Sequence, residues 1–147
     1  MRNLLRRFLA SMLVVLLVFC IVGCTKADRN LLNEKVTAMI DLIIKHDTEA
    51  MYSMLYPGAM DVETYLSTAE LIDDYFPVTV GYTWNLQQLN VRKGVNEPYK
   101  IYDGQYKVEF DEKVFYIVAT WRSDSDGEGF MRFQILNEED WVAAQKS

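Results

Sequence analysis

The sequence predicts an α+β domain, with a helical first half and a meander of antiparallel strands behind it. Two observations carry that expectation. From Leu32 the apolar residues recur at steps of three and four, through Val36, Met39, Ile40, Ile43 and Ile44, which places them on one helical face. From Val78 the period drops to two. Val78, Val80, Tyr82, Trp84 and Leu86 alternate with Thr79, Gly81, Thr83, Asn85 and Gln87, as in a strand with one buried face.

The elements follow in order. Asn30 or Asn33 is placed to cap the first helix, with Glu34, Lys35, Asp41 and Lys45 on its outer face. Asp47 and Thr48 offer capping oxygens for a short second helix, Glu49 to Tyr56, which Pro57-Gly58 stops. Asp61 is placed to cap a third helix from Val62 to Phe76, ended by Pro77. The first strand runs from Val78 to about Arg92. Its apolar positions slip to Leu89 and Val91 after Gln87-Gln88, the mark of a bulge. Lys93 to Pro98 is a loop. The second strand spans Tyr99 to Phe110, where Asp103-Gly104 is either a hairpin turn or a bulge. The flanks are short for a separate hairpin, which favours the bulge. Val114 to Trp121 is apolar on both faces and suits a central strand. Ser123 to Gly129 is a polar turn. Phe130 to Leu136 is the last strand, with Met131, Phe133 and Ile135 on one face and Arg132 and Gln134 on the other. Asn137 to Asp140 is acidic, and Trp141 is placed to dock back.

The first 24 residues read as an address. Met1 to Arg7 holds Arg2, Arg6 and Arg7 and no acid, and Phe8 to Val22 is apolar except for Ser11 and Cys20. A basic start, an apolar middle and a small residue before a cut site make an export signal. Phe8 to Gly23 is 16 residues, short of the roughly 17 that are the lower limit for a membrane-spanning helix. The closing Ile21-Val22-Gly23-Cys24 resembles the lipobox of bacterial lipoproteins. That resemblance implies a diacylglyceryl group on the Cys24 sulfur, a cut before Cys24, and a lipid-anchored, extracytoplasmic chain. Two buried acyl chains give stable attachment where one gives marginal binding. The expected layout is a signal peptide over residues 1–23, the lipidated cysteine and a polar tether over 24–30, and one domain over 31–147.

Charge and cysteines narrow the function classes. The chain carries a net charge of −6, and its first 23 residues hold three basic groups and no acid, so the part behind them is more acidic still. Such a domain is a poor binder of nucleic acid, whose phosphates need basic clusters. The only cysteines are Cys20 and Cys24. With Cys20 removed and Cys24 acylated, no thiol or disulfide chemistry remains, and the domain is expected to rely on its core.

Three helices followed by bent strands, the slip after Gln87-Gln88 and the run Val114-Phe115-Tyr116-Ile117-Val118-Ala119-Thr120-Trp121 then Gly129 to Leu136 resemble the NTF2-like, or cystatin-like cone, family, and within it small lipoproteins of Gram-positive bacteria. The resemblance implies a strongly curved antiparallel sheet of about four strands wrapped around the helices, with a cavity between. That fold hosts enzymes, ligand-binding proteins and association modules alike, so it does not decide function.

Catalytic patterns are absent from the sequence. His46 is the sole histidine and stands where a first helix ends, where a cation suits the helix dipole. No spaced set of His, Cys and Glu offers a metal site. Asp124-Ser125-Asp126-Gly127-Glu128-Gly129 departs from a calcium loop, because Gly comes fourth and Ile135 occupies the twelfth place. A glycine-containing turn explains it. No Gly-x-Ser-x-Gly and no phosphate-cradling loop occurs. No cofactor is expected. Aromatics are plentiful, and Tyr82, Trp84, Tyr106, Tyr116 and Trp121 are the candidates to line a ligand pocket in the cone or to fill its core. Glu109 and Asp111 fall opposite Val108 and Phe110, which leaves no inward acid on the later strands and disfavours acid–base catalysis. The sequence-level reading is a non-enzymatic, lipid-anchored domain that binds a small ligand or a protein partner. The alternatives are homo-association, as a homodimer through the outer face of Val114 to Trp121, and a small NTF2-like enzyme.

Overall fold

In a computed structural model the described residues are 26–60, 82–94, 98–110 and 113–146. They form helix α1 over residues 26–44, helix α2 Thr48–Ser53, strands β1 Tyr82–Lys93, β2 Lys100–Phe110, β3 Lys113–Asp124 and β4 Gly127–Leu136, and a closing helix α3 Glu138–Ala144. The strands make one antiparallel sheet in the order β1-β2-β3-β4. The α+β layout and the four-stranded sheet are as expected. The expected third helix, Val62 to Phe76, and the first residues of the expected first strand, Val78 to Gly81, lie outside the described residues.

One face of α1 closes on one face of the sheet. Leu32, Val36, Met39, Ile40 and Ile43 are buried against Tyr102, Tyr106, Val108, Phe115, Ile117, Ala119, Trp121 and Phe130. Strand pairing sets these residues in rows across the sheet. Leu86, Tyr106, Ile117 and Ile135 make one row, and Leu89, Gly104, Ala119 and Phe133 the next. Small residues at the centre of the second row leave room for the helix. A Cβ at Gly104 would stand 2.5 Å from Leu32 Cδ2.

That close approach corrects the reading of Asp103-Gly104. β2 runs through both residues with continuous register to β1 and β3, so there is neither turn nor bulge. The glycine is there for its missing side chain and not to break the strand. The other irregularity is where it was expected, as the β1 register shifts between Leu86 and Gln88. A further shift, between Thr120 and Trp121 of β3, pairs them with Arg132 and Phe130 and leaves Met131 as the extra residue on β4. The bulge turns Met131 outward, at 41% exposure, and puts Phe130 into the core instead.

α1 starts earlier than its candidate caps. Residues 26–30, expected as part of a tether, are helical, and Asp28 is buried with Lys100 Nζ 3.8 Å from its carboxylate. Asn33 lies inside the helix and accepts a hydrogen bond from the Tyr106 hydroxyl at 3.0 Å. The helix ends in a Schellman motif: His46 N–H donates to the Ile43 carbonyl and Asp47 N–H to the Leu42 carbonyl, both at 3.0 Å, with His46 at φ 54°. Asp47 then caps α2 by accepting from Ala50 N–H at 3.0 Å.

The chain after α2 is sewn to β4. Tyr56 N–H donates to the Phe130 carbonyl at 3.0 Å, and Phe130 N–H donates to the Met54 carbonyl at 2.8 Å. Neighbouring Gly129 packs so tightly on this segment that a Cβ would fall under 3.0 Å from backbone atoms of Leu55 and Tyr56. At the far end, Asn137 caps α3 by accepting from Asp140 N–H at 2.8 Å. Trp141 of that helix stacks on Tyr116, with parallel rings 4.6 Å apart, which docks α3 on the outer face of the central strand β3.

Candidate functional site

The expected pocket residues divide between the two faces of the sheet. Trp84 and Tyr106 meet on the inner face, edge to face with ring centroids 5.6 Å apart. Trp121 packs edge-on against Phe130 at 4.8 Å, and the Lys35 ammonium stands 5.0 Å above its ring. Tyr106 is fully buried and Trp121 only 3% exposed, so both rings serve as core at these contacts. The Trp121 indole N–H is buried with no acceptor among the described residues. Tyr82, half-buried, donates from its hydroxyl to Asp41 Oδ1 of α1 at 2.7 Å. Burial and then that bond raise the Tyr82 hydroxyl above its usual range. Tyr116 is elsewhere. It is five residues before Trp121, an odd step along an alternating strand, and so belongs to the outer face with Trp141. Cys24 lies outside the described residues.

A different cluster, absent from the sequence reading, gathers where β3 turns into β4. Ser125 and Asp126 form the tip, Asp124 pairs with Gly127, and Gly127 at φ 145° takes a backbone shape that other residues avoid. This is the turn expected in place of a calcium loop. The Asp124 side chain is only 6% exposed. It is held by three donors: the Tyr56 hydroxyl at 2.9 Å to each oxygen, Arg122 Nε, and Asp126 N–H at 2.9 Å. Burial pushes its pKa up, but the three hydrogen bonds and the Arg122 charge outweigh that and hold the carboxyl below the usual range. Burial and then the bond to Asp124 push the Tyr56 hydroxyl up.

Arg122 lies over two tyrosine rings, its Cζ 4.9 Å from the Tyr56 centroid and 5.8 Å from that of Tyr99. Beside it opens a pocket of about 230 Å³ lined by Pro98, Tyr99, Arg122, Asp124, Ser125 and Asp126. A second depression, about 450 Å³, lies along the β1–β2 pair and is lined mainly by Thr83, Asn85, Gln87, Lys107 and Glu109. The first has the more specific chemistry, a guanidinium fixed by a carboxylate and two aromatic faces.

Neither tyrosine–carboxylate pair suits proton transfer at neutral pH. The Tyr56 and Tyr82 hydroxyls are held protonated, and Asp124, with its depressed pKa, is a weak base. Among the described residues no group of three His, Cys, Asp or Glu side chains could hold a metal ion. The Arg122 cluster was hidden in the sequence because Tyr56 and Asp124 are 68 positions apart. A signal was present in Arg122-Ser123-Asp124, two opposite charges on one strand face beside a turn. Comparison with known protein families, curated proteins and solved structures gives no match for this chain.

Proposed function

We propose that the chain is a membrane-anchored, extracytoplasmic lipoprotein, held to the lipid bilayer through acylated Cys24, whose α+β domain binds a small ligand or a protein partner and catalyses no reaction. The observation that carries the anchoring is Ile21-Val22-Gly23-Cys24 at the end of a basic and then apolar leader. Binding without catalysis is supported by the pocket at Arg122, which offers recognition groups while the Asp124 carboxyl and the Tyr56 hydroxyl are tuned away from proton transfer. An NTF2-like cone, with a third helix and a strongly curved sheet, remains the reading of the fold that the element order supports best.

Membrane fractionation of cells expressing the chain and its Cys24→Ala variant, with a clickable fatty acid fed to the cells, tests the anchor. The parent is expected in the membrane fraction with label attached, and the variant unlabelled and either uncut or released. A variant that is cut and retained as the parent is would overturn the lipoprotein reading.

A further inference from the structure

The geometry points to a site for a free α-amino acid at Arg122 and Asp126, an inference that rests on the ligand-binding reading above and names its ligand class. Arg122 is fixed before any ligand arrives. Nε is held by Asp124, and Cζ lies 4.9 and 5.8 Å from the Tyr56 and Tyr99 ring centroids. Among the described residues no hydrogen bond engages Nη1 or Nη2, so the outer fork of the guanidinium, the edge that matches a carboxylate in bidentate fashion, is unspent. A side chain already ordered by its neighbours loses little freedom on binding, which favours capture even of a small ligand.

The charges around the fork select the ligand. Asp124 offsets the Arg122 charge, and Asp126 lines the same pocket with an exposed carboxylate whose side-chain contact is a 3.4 Å bond from the Ser125 hydroxyl. A simple anion entering here meets one cation and two anions. A zwitterion meets a partner for each end, its carboxylate on the Arg122 fork and its ammonium on Asp126. The pocket's roughly 230 Å³ is below the ~300–1,000 Å³ of drug-sized sites and fits a molecule of amino-acid size. Phosphate, with its higher negative charge, is disfavoured by the same two aspartates.

Isothermal titration of the full chain in detergent with a panel of common L-amino acids, alongside acetate and methylammonium, tests the site. Saturable binding of at least one amino acid is expected, with acetate and methylammonium each weaker by about tenfold or more. Arg122→Lys, which loses the fork, and Asp126→Asn, which loses the ammonium partner, are each expected to weaken binding by about tenfold. Asp126→Asn keeps the Asp124 clamp and so tests the site even if the Arg122 variant does not fold. No saturable binding by any amino acid, unchanged binding in a folded Asp126→Asn chain, or acetate binding as tightly as the best amino acid overturns the inference. Fractionation of Cys24→Ala separates the two readings: a released variant whose parent binds no amino acid overturns only the site, and an amino-acid-binding chain indifferent to Cys24→Ala overturns only the anchor.

Discussion

The Tyr56 hydroxyl lies 2.9 Å from both carboxylate oxygens of Asp124, joining the end of the helical half of the chain to the β3–β4 turn. The bond is charge-assisted, and Asp124 is more acidic in the folded chain than an ordinary aspartate. A depressed carboxylate pKa contributes stability above the unfolded value, about 4, and that contribution is lost as pH falls through the folded value. Tyr56→Phe should therefore lower the urea midpoint most at neutral pH, with the gap to the parent closing as the pH falls below about 4. A gap of constant size across that range would mean that the hydroxyl contributes only as a neutral group.

Gly129→Ala should destabilise the domain by about 1–3 kcal/mol, the scale of overpacking. The new Cβ would press on backbone atoms of Leu55 and Tyr56, which cannot swing aside. Gly104→Ala presses instead on the Leu32 and Tyr106 side chains, so its cost should be the smaller of the two. Chemical denaturation of both variants orders them, and the reverse order would contradict the packing described for residues 54–56.

His46→Gly should raise stability by up to about 1 kcal/mol, since glycine occupies the left-handed region without the strain of a side chain. His46 holds φ 54° at the point where α1 closes. Urea unfolding measures the change, and a loss would show that the imidazole makes contacts worth more than the strain.

Trp141→Ala should cost about 0.5–1.5 kcal/mol from the lost stack on Tyr116, beyond the area it uncovers. It should also bare the outer face of β3. Light scattering on the parent and variant then reads the homo-association alternative. A monomeric parent with a self-associating variant would show that α3 guards that face, and a parent already dimeric would favour association through a surface that α3 does not cover.

Much of the fold was legible because burial writes itself as period. Of the six apolar residues read onto one helical face, Leu32, Val36, Met39, Ile40 and Ile43 are buried and Ile44 is partly buried, and the slip at Gln87 is a real bulge. Where the reading failed, a long-range contact overrode a local preference. Asp103-Gly104 reads as a break, yet Leu32 crossing the sheet is what calls for the glycine. The Met131 bulge depends on pairing with a distant strand and leaves no local trace. α3 was missed although Asn137 with Glu138, Glu139 and Asp140 is a cap and an acidic first turn. It is seven residues long, below the length at which period can be read. The inner aromatics were legible as a group. Tyr116 was misplaced by a parity of one residue, and the Arg122 cluster needed three separated segments to meet.

The Asp28–Lys100 contact has a bearing on where a ligand would be met. It ties the start of α1 to the residue after Tyr99, so the Arg122 pocket opens at the same end of the domain as the chain's entry point. The helix is under way by residue 26. If Cys24 is acylated as proposed, Thr25 alone separates the lipid from the described helix, and the end of the domain that carries the pocket would be the end nearest the bilayer.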